Sequence, residues 1–473
     1  MNSHEEWSPL DASAAQPIRI HGLARKRKAS QLSLESGRRT PRFVAFTLLA
    51  CAAAYGCEQE LPTGVGLQPL PGEPITVELE IPWSEFASNL EVFGGYGSPE
   101  DLNRGYVANQ FADTLDARTL MRFTAYPGAV TARDSTGAQR PDSVITFVGG
   151  RLVAVFDTVA STNTGPVVVA VGRLQQEWDP TTTTWEAAID TINDLRPWSE
   201  VGAGPVIGVD TVTWDPAAGD SVVFSLDSAT VAAWADTDDL SRGARLEMID
   251  TGSRLQLNGA TLRLDIRPSI DPDTIIELSV GTSALTFIYS PFPEPPPDGV
   301  RIGGAPSWRT VLDVAIPEVF NGPPEFCAQV GCPFTPEPGQ ISFAALRLTS
   351  RTTEAAFQPT DTVRLDVRPV FARASMPKSP LGTSLIAAPL GRSVRPDAFG
   401  ASAGDLIEVP FTAFARDLLR GEDLAGNPAP SSLALLSVFE PISISFASFE
   451  GPGSANEPTL RLVLTIGPPV ELP

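Results

Sequence analysis

The chain has two histidines, His4 and His21, and both lie ahead of a segment that reads as an export signal. Beyond that signal no imidazole is left. This excludes Ser-His and Cys-His nucleophilic catalysis and removes the usual ligand of zinc and haem sites. Lysine is almost as scarce, Lys378 being the only one after Lys28. There are four cysteines in 473 residues, too few for a disulfide scaffold. The apolar run Phe43 to Gly56 is 14 residues long, short of the roughly 20 that a helix needs to span a bilayer.

Acidic residues are plentiful. The formal net charge is −22, and residues 1–56 hold eight Lys/Arg against four Asp/Glu, so the remainder carries 26 basic and 52 acidic residues. A surface that acidic repels the phosphate backbone, so no nucleic-acid partner is expected. Arg38, Arg39 and Arg42 precede the short apolar run, which ends in small residues and a cysteine. A basic region, a short apolar region and a small residue before the break make a secretory signal. A cysteine at that break resembles a bacterial lipoprotein signal, which implies lipidation. Cys51 and Cys57 both qualify, and Cys57 is favoured because Glu58-Gln59-Glu60 and a Pro/Gly-rich run follow it at once. Residues 1–57 are thus expected to be signal and lipidation site, and 58–74 a flexible tether. The expected location is the cell envelope, lipid-anchored in the outer membrane, with the membrane met only through the anchor.

The rest is rich in turn formers, with 45 Pro and 39 Gly, and in period-2 strands. Thr362 to Val370 alternates Val363, Leu365 and Val367 with Arg364, Asp366 and Arg368, and Thr261 to Arg267 behaves in the same way. Pro166 to Val171 is a continuous apolar run, which predicts a strand buried on both faces. Helical periodicity is confined to a couple of turns at Phe411 to Leu419. Segments also recur in order. ITVEL at 75–79 matches TIIEL at 274–278, TLMRF from Thr119 matches TVLDV from Thr310, and RLVAVF from Arg151 matches FAALRL from Phe343. VVFSLDSATVAAWA from Val222 matches IEVPFTAFARDLL from Ile407, and TLRLDIRP from Thr261 matches TLRLVLTIGPP from Thr459, at spacings of 185 to 199 residues. The expected fold is all-β: two tandem β-sandwich or jelly-roll domains with few short helices, over 75–268 and 269–473.

Several of these residues carry a resemblance. TLMRF, Ala344 to Leu348, the segment Trp178-Asp-Pro-Thr-Thr-Thr-Thr-Trp185 followed by Trp198, and the closing TLRL strand are similar to DNRLRE-type domains. These are β-jelly-roll modules of bacterial exported proteins, akin to carbohydrate-binding modules. The resemblance implies a jelly roll and polysaccharide binding; the second copy lacks the Trp pair.

Trp178, Trp185 and Trp198 are the candidate ligand-binding residues, since indole faces stack on the apolar faces of sugar rings. The opposing reading is that they fill the interior of a sandwich. Asp236-Thr-Asp-Asp239 and Asp271-Pro-Asp273 offer carboxylates, but neither has an EF-hand spacing, and no metal or cofactor is expected. Cys327 and Cys332, in an insertion with no counterpart in the first copy, are expected to form a local disulfide. Gly303-Gly304 lacks the strand-to-helix context of a phosphate loop and reads as a turn. No catalytic signature stands out. The expected function is a non-enzymatic envelope lipoprotein binding glycan or matrix polymer. A purely structural spacer is the alternative, followed by a polysaccharide-active enzyme that would need two carboxylates placed in space.

Overall fold

Strands form where the sequence alternates. In Thr459–Ile466 and Ser221–Asp227 every second residue is buried and faces a core. The structure, a computed structural model, describes residues 74–467 except 97, 306, 377, 389 and 441–442. The expected signal, Cys51, Cys57 and the tether up to residue 73 lie outside the described residues. The fold is all-β, in antiparallel sheets of eleven and nine strands with two small two-stranded ribbons. The longest helix among the described residues, Thr412–Arg420, has nine residues and ends at Gly421, whose φ of +79° suits the left-handed cap.

The nine-stranded sheet makes a first lobe and runs from Gly105–Phe111 to Ile276–Ser290. It rolls round one core of Leu152, Phe156, Trp214, Phe224, Leu262 and their neighbours. Its two edge strands, Val206–Trp214 and Ser221–Asp227, meet where Asp210 Oδ2 accepts the Ser225 N–H at 2.7 Å. The eleven-stranded sheet makes a second lobe from Gly299–Gly303 to Thr459–Ile466, together with Ile75–Pro82 and Ala87–Tyr96. Val167–Leu174 alternates between buried and half-buried residues, so the apolar run there faces the core on one side only. Ser432–Ser437 and Gly299–Gly303 are buried throughout. Leu433 and Leu435 face the lobe core, while Ala434 and Leu436 meet Val311, Val370 and Leu381 on the other side.

Strand pairing crosses the expected joint at residue 268. Ile276–Ser290 lies beside Ser253–Pro268, with Leu278 opposite Leu264. Ile75–Pro82 lies beside Thr459–Ile466, with Leu79 opposite Leu462. In the recurring segments Leu79 matches Leu278 and Leu264 matches Leu462, so both pairs share one register. The opening strand of each segment set closes the lobe built by the other.

The lobes are joined by an aromatic seam of Tyr106, Phe287 and Tyr289 from the first and Trp308, Phe357 and Phe446 from the second. Tyr106 meets Phe287 edge-on at 4.9 Å between centroids, and Phe357 stacks on Phe446 at 5.3 Å. Arg254 is only 1% exposed and spans the seam, donating to the carbonyls of Ala356 at 2.8 Å and Gln358 at 3.2 Å. Cys327 and Cys332 are joined as a disulfide beside the short helix Pro324–Val330.

Candidate functional site

The Thr-rich stretch between Trp178 and Trp185 is a turn held by one carboxylate. Asp179 accepts the Thr181 N–H and the hydroxyls of Thr181 and Thr182. This turn folds Trp178 and Trp198 inward. Both are buried with Leu120, Leu174, Ala188 and Ile288, donating through Nε1 to the carbonyls of Arg242 at 3.3 Å and Thr184 at 3.0 Å. Arg122 covers the Trp178 ring at 4.5 Å from its centroid. Trp185 is half-buried, with Arg118 at 5.0 Å over its ring and the φ +79° Gly202 beside it. A Cβ at Gly202 would sit 2.9 Å from Trp185, so the glycine is what lets the backbone close over the indole. The three residues therefore come together, Trp178 and Trp198 buried and Trp185 half-buried, with an arginine over the rings of Trp178 and Trp185.

The acidic clusters are also internally engaged. Asp236 caps the Asp238 N–H and Asp239 holds Ser241, while Asp271 accepts from Thr274. Among the described residues no group of three or more His, Cys, Asp or Glu comes together in a way that would hold a metal. Where carboxylates are perturbed, they move down. Backbone hydrogen bonds from Ile270 and Val144 hold Asp142 below the usual range, and the Thr230 N–H does the same for Asp227.

A polar opening lies elsewhere, in a cleft of about 290 Å³ where the lobes meet. The first lobe contributes Arg104 and Gln256, and the second contributes the Gly303-Gly304 turn, residues 359–364, Ser437, Ser443 and Ser445. Gly303 and Gly304 have φ of +83° and +86°, and they reverse the chain at the cleft between Gly299–Gly303 and Ser307–Val314. The Tyr106 hydroxyl lies 2.7 Å from Gln256 Oε1 and 3.0 Å from Ser443 Oγ, tying the two walls together. Burial pushes that hydroxyl above the ordinary tyrosine range, so it stays protonated. Ser445 is 9% exposed and its Oγ has no hydrogen-bond partner among the described residues. Arg364 donates to Ser393 Oγ. The Arg104 side chain is half-buried and makes no hydrogen bond or ion pair with any described residue. Phe439 and Leu390 form an apolar lip, 44% and 46% exposed.

The cleft combines hydroxyls, an amide, two guanidinium groups, the Asp361 carboxylate and one aromatic side chain. These are groups of the kind that hydrogen-bond a polar ligand. Sequence reading does not bring these residues together, because they come from six segments between Arg104 and Ser445. Gly303-Gly304 reads as a turn, and Thr362, Val363 and Arg364 as part of an alternating strand. No protein-family model matches the chain, and comparison with curated proteins gives no match. Neither a ligand nor an activity is therefore inherited from a relative.

Proposed function

We propose that this is a non-enzymatic cell-envelope lipoprotein, anchored through Cys57, whose β-sandwich body binds a glycan or matrix polymer in the cleft between its lobes. The observation that carries this reading is the make-up of the cleft. Hydrogen-bonding groups line it together with the partly exposed Phe439, and a sugar ring stacks on an aromatic while its hydroxyls are hydrogen-bonded. The volume is near the low end of ligand cavities, roughly 300–1,000 Å³, and suits one sugar ring. The kinship with DNRLRE-type modules and the outer-membrane location belong to the same proposal and rest on the sequence resemblance. A structural spacer is the second reading, favoured by the buried aromatic seam that fixes the lobes together. Titration of the protein with a panel of polysaccharides, read by calorimetry, separates the two. Saturable binding that is lost in Phe439→Ala, with the circular dichroism unchanged, supports the binding role. Silence across the panel supports the spacer.

A further inference from the structure

We propose that the cleft selects a sugar ring bearing a single carboxylate, such as a uronic acid unit carried on an otherwise neutral glycan. This rests on the glycan reading above and specifies its ligand.

Charge is the first argument. The chain as a whole is strongly acidic, at −22, yet two arginines and one carboxylate line this cleft. That carboxylate, Asp361, is exposed and already accepts the Thr362 N–H at 2.5 Å. Arg104 makes no hydrogen bond or ion pair with a described residue, its charge acting at longer range on Asp157, while Arg347 and Arg461 on the second lobe each bridge Glu78 and Glu408. A guanidinium with no carboxylate in direct contact can take a bound one through charge-assisted hydrogen bonds. The second argument is the neutral lining. The Ser445 hydroxyl is buried without a partner among the described residues, and Ser437 lines the same wall. A polyhydroxylated ring supplies the missing donors and acceptors, which an aliphatic acid would not. The third is the field around the cleft. A polyanion would meet the acidic surface on either side and be repelled, whereas one carboxylate set between the two arginines is not. The site is thus matched to an isolated acidic ring.

Methyl glucuronide, methyl glucoside and polygalacturonate, each titrated into the full chain in EDTA, test the inference. The expected result is saturable binding of the glucuronide, weaker for the glucoside by about tenfold or more. Arg104→Gln and Arg364→Gln should each bring the glucuronide towards the glucoside's affinity with melting temperature unchanged, and polygalacturonate should bind no better per ring than the glucuronide. Equal affinity for glucuronide and glucoside, or indifference to both substitutions, would overturn the acidic preference while leaving glycan binding in place. If no sugar binds, charged or neutral, the glycan reading fails and the inference goes with it.

Discussion

Arg254 shows how much one side chain contributes to the join between the lobes. It is almost completely buried, faces Phe111 at 5.3 Å from the ring centroid, and among the described residues its guanidinium pairs with no carboxylate and donates to the carbonyls of Ala356 and Gln358. Burial pulls its pKa below the usual arginine value, with Tyr106 opposing, yet two carbonyl acceptors still hold the proton-bearing fork. Arg254→Ala would leave both carbonyls unpaired in a buried seam and open a cavity. The expected loss is about 3 kcal/mol or more, measured by urea denaturation. A loss under about 1 kcal/mol would mean that water already reaches the seam. Residue identity alone was a poor guide here. Trp178, Trp185 and Trp198 stood out in the sequence through their spacing, but spacing does not say whether an indole faces sugar or protein. The cleft residues are ordinary Ser, Thr and Arg, and Arg364 reads as the solvent face of an alternating strand.

Elements were easier to read. Period-2 alternation placed the strands, and the Phe411 to Leu419 pattern is the Thr412–Arg420 helix. The Ser228–Ala235 helix went unread because it is Ala-rich, without an amphipathic stripe; its one signal is Asp227, which accepts the Thr230 N–H as an N-cap. The exchange of opening strands was not legible for a definite reason. Leu79 meets Leu462 in the register in which Leu278 meets Leu264, so the sequence pattern is satisfied equally by exchanged and unexchanged pairings. The Ile75–Pro82 strand is held by a cross-strand ionic cluster as well. Glu78 bridges Arg461 at 2.8 Å and Arg347 at 3.2 Å, and both arginines reach Glu408. The Arg461 hydrogen bond holds the Glu78 carboxyl below its ordinary pKa. Its contribution is therefore complete above the unfolded value of about 4.3 and fades as pH falls through that value towards the lower folded one. Melting temperature should drop between pH 5 and pH 3, and Glu78→Gln should shrink that drop. An identical pH profile in the variant would show that the pair is solvent-screened and contributes nothing.

At the scale of the whole molecule, the seam and the exchanged strands make the two lobes mutually dependent. Neither has a complete sheet without a strand from the other set of segments, and the aromatic cluster between them is buried. Heating should give one transition, with calorimetric and van't Hoff enthalpies equal. Two resolved transitions would show that the lobes stand independently. The cleft follows from the same closure, since its walls are brought together only when both lobes are in place.

The pairing of Ile75 with Ile466 also sets an order of events during biosynthesis. Of the strands described, the one made first waits for the one made last. At roughly 5–20 residues per second, that interval is about 20–80 s. Until then the second lobe lacks its edge, and an eight-residue strand with a half-apolar face, Ile75–Pro82, is free to pair with whatever sheet it meets. The final step closes one of the longest loops the chain can make, a slow step for any fold dominated by distant contacts. A chain cut short near its end would therefore lose a strand at the C-terminus and leave the N-terminal strand without its place.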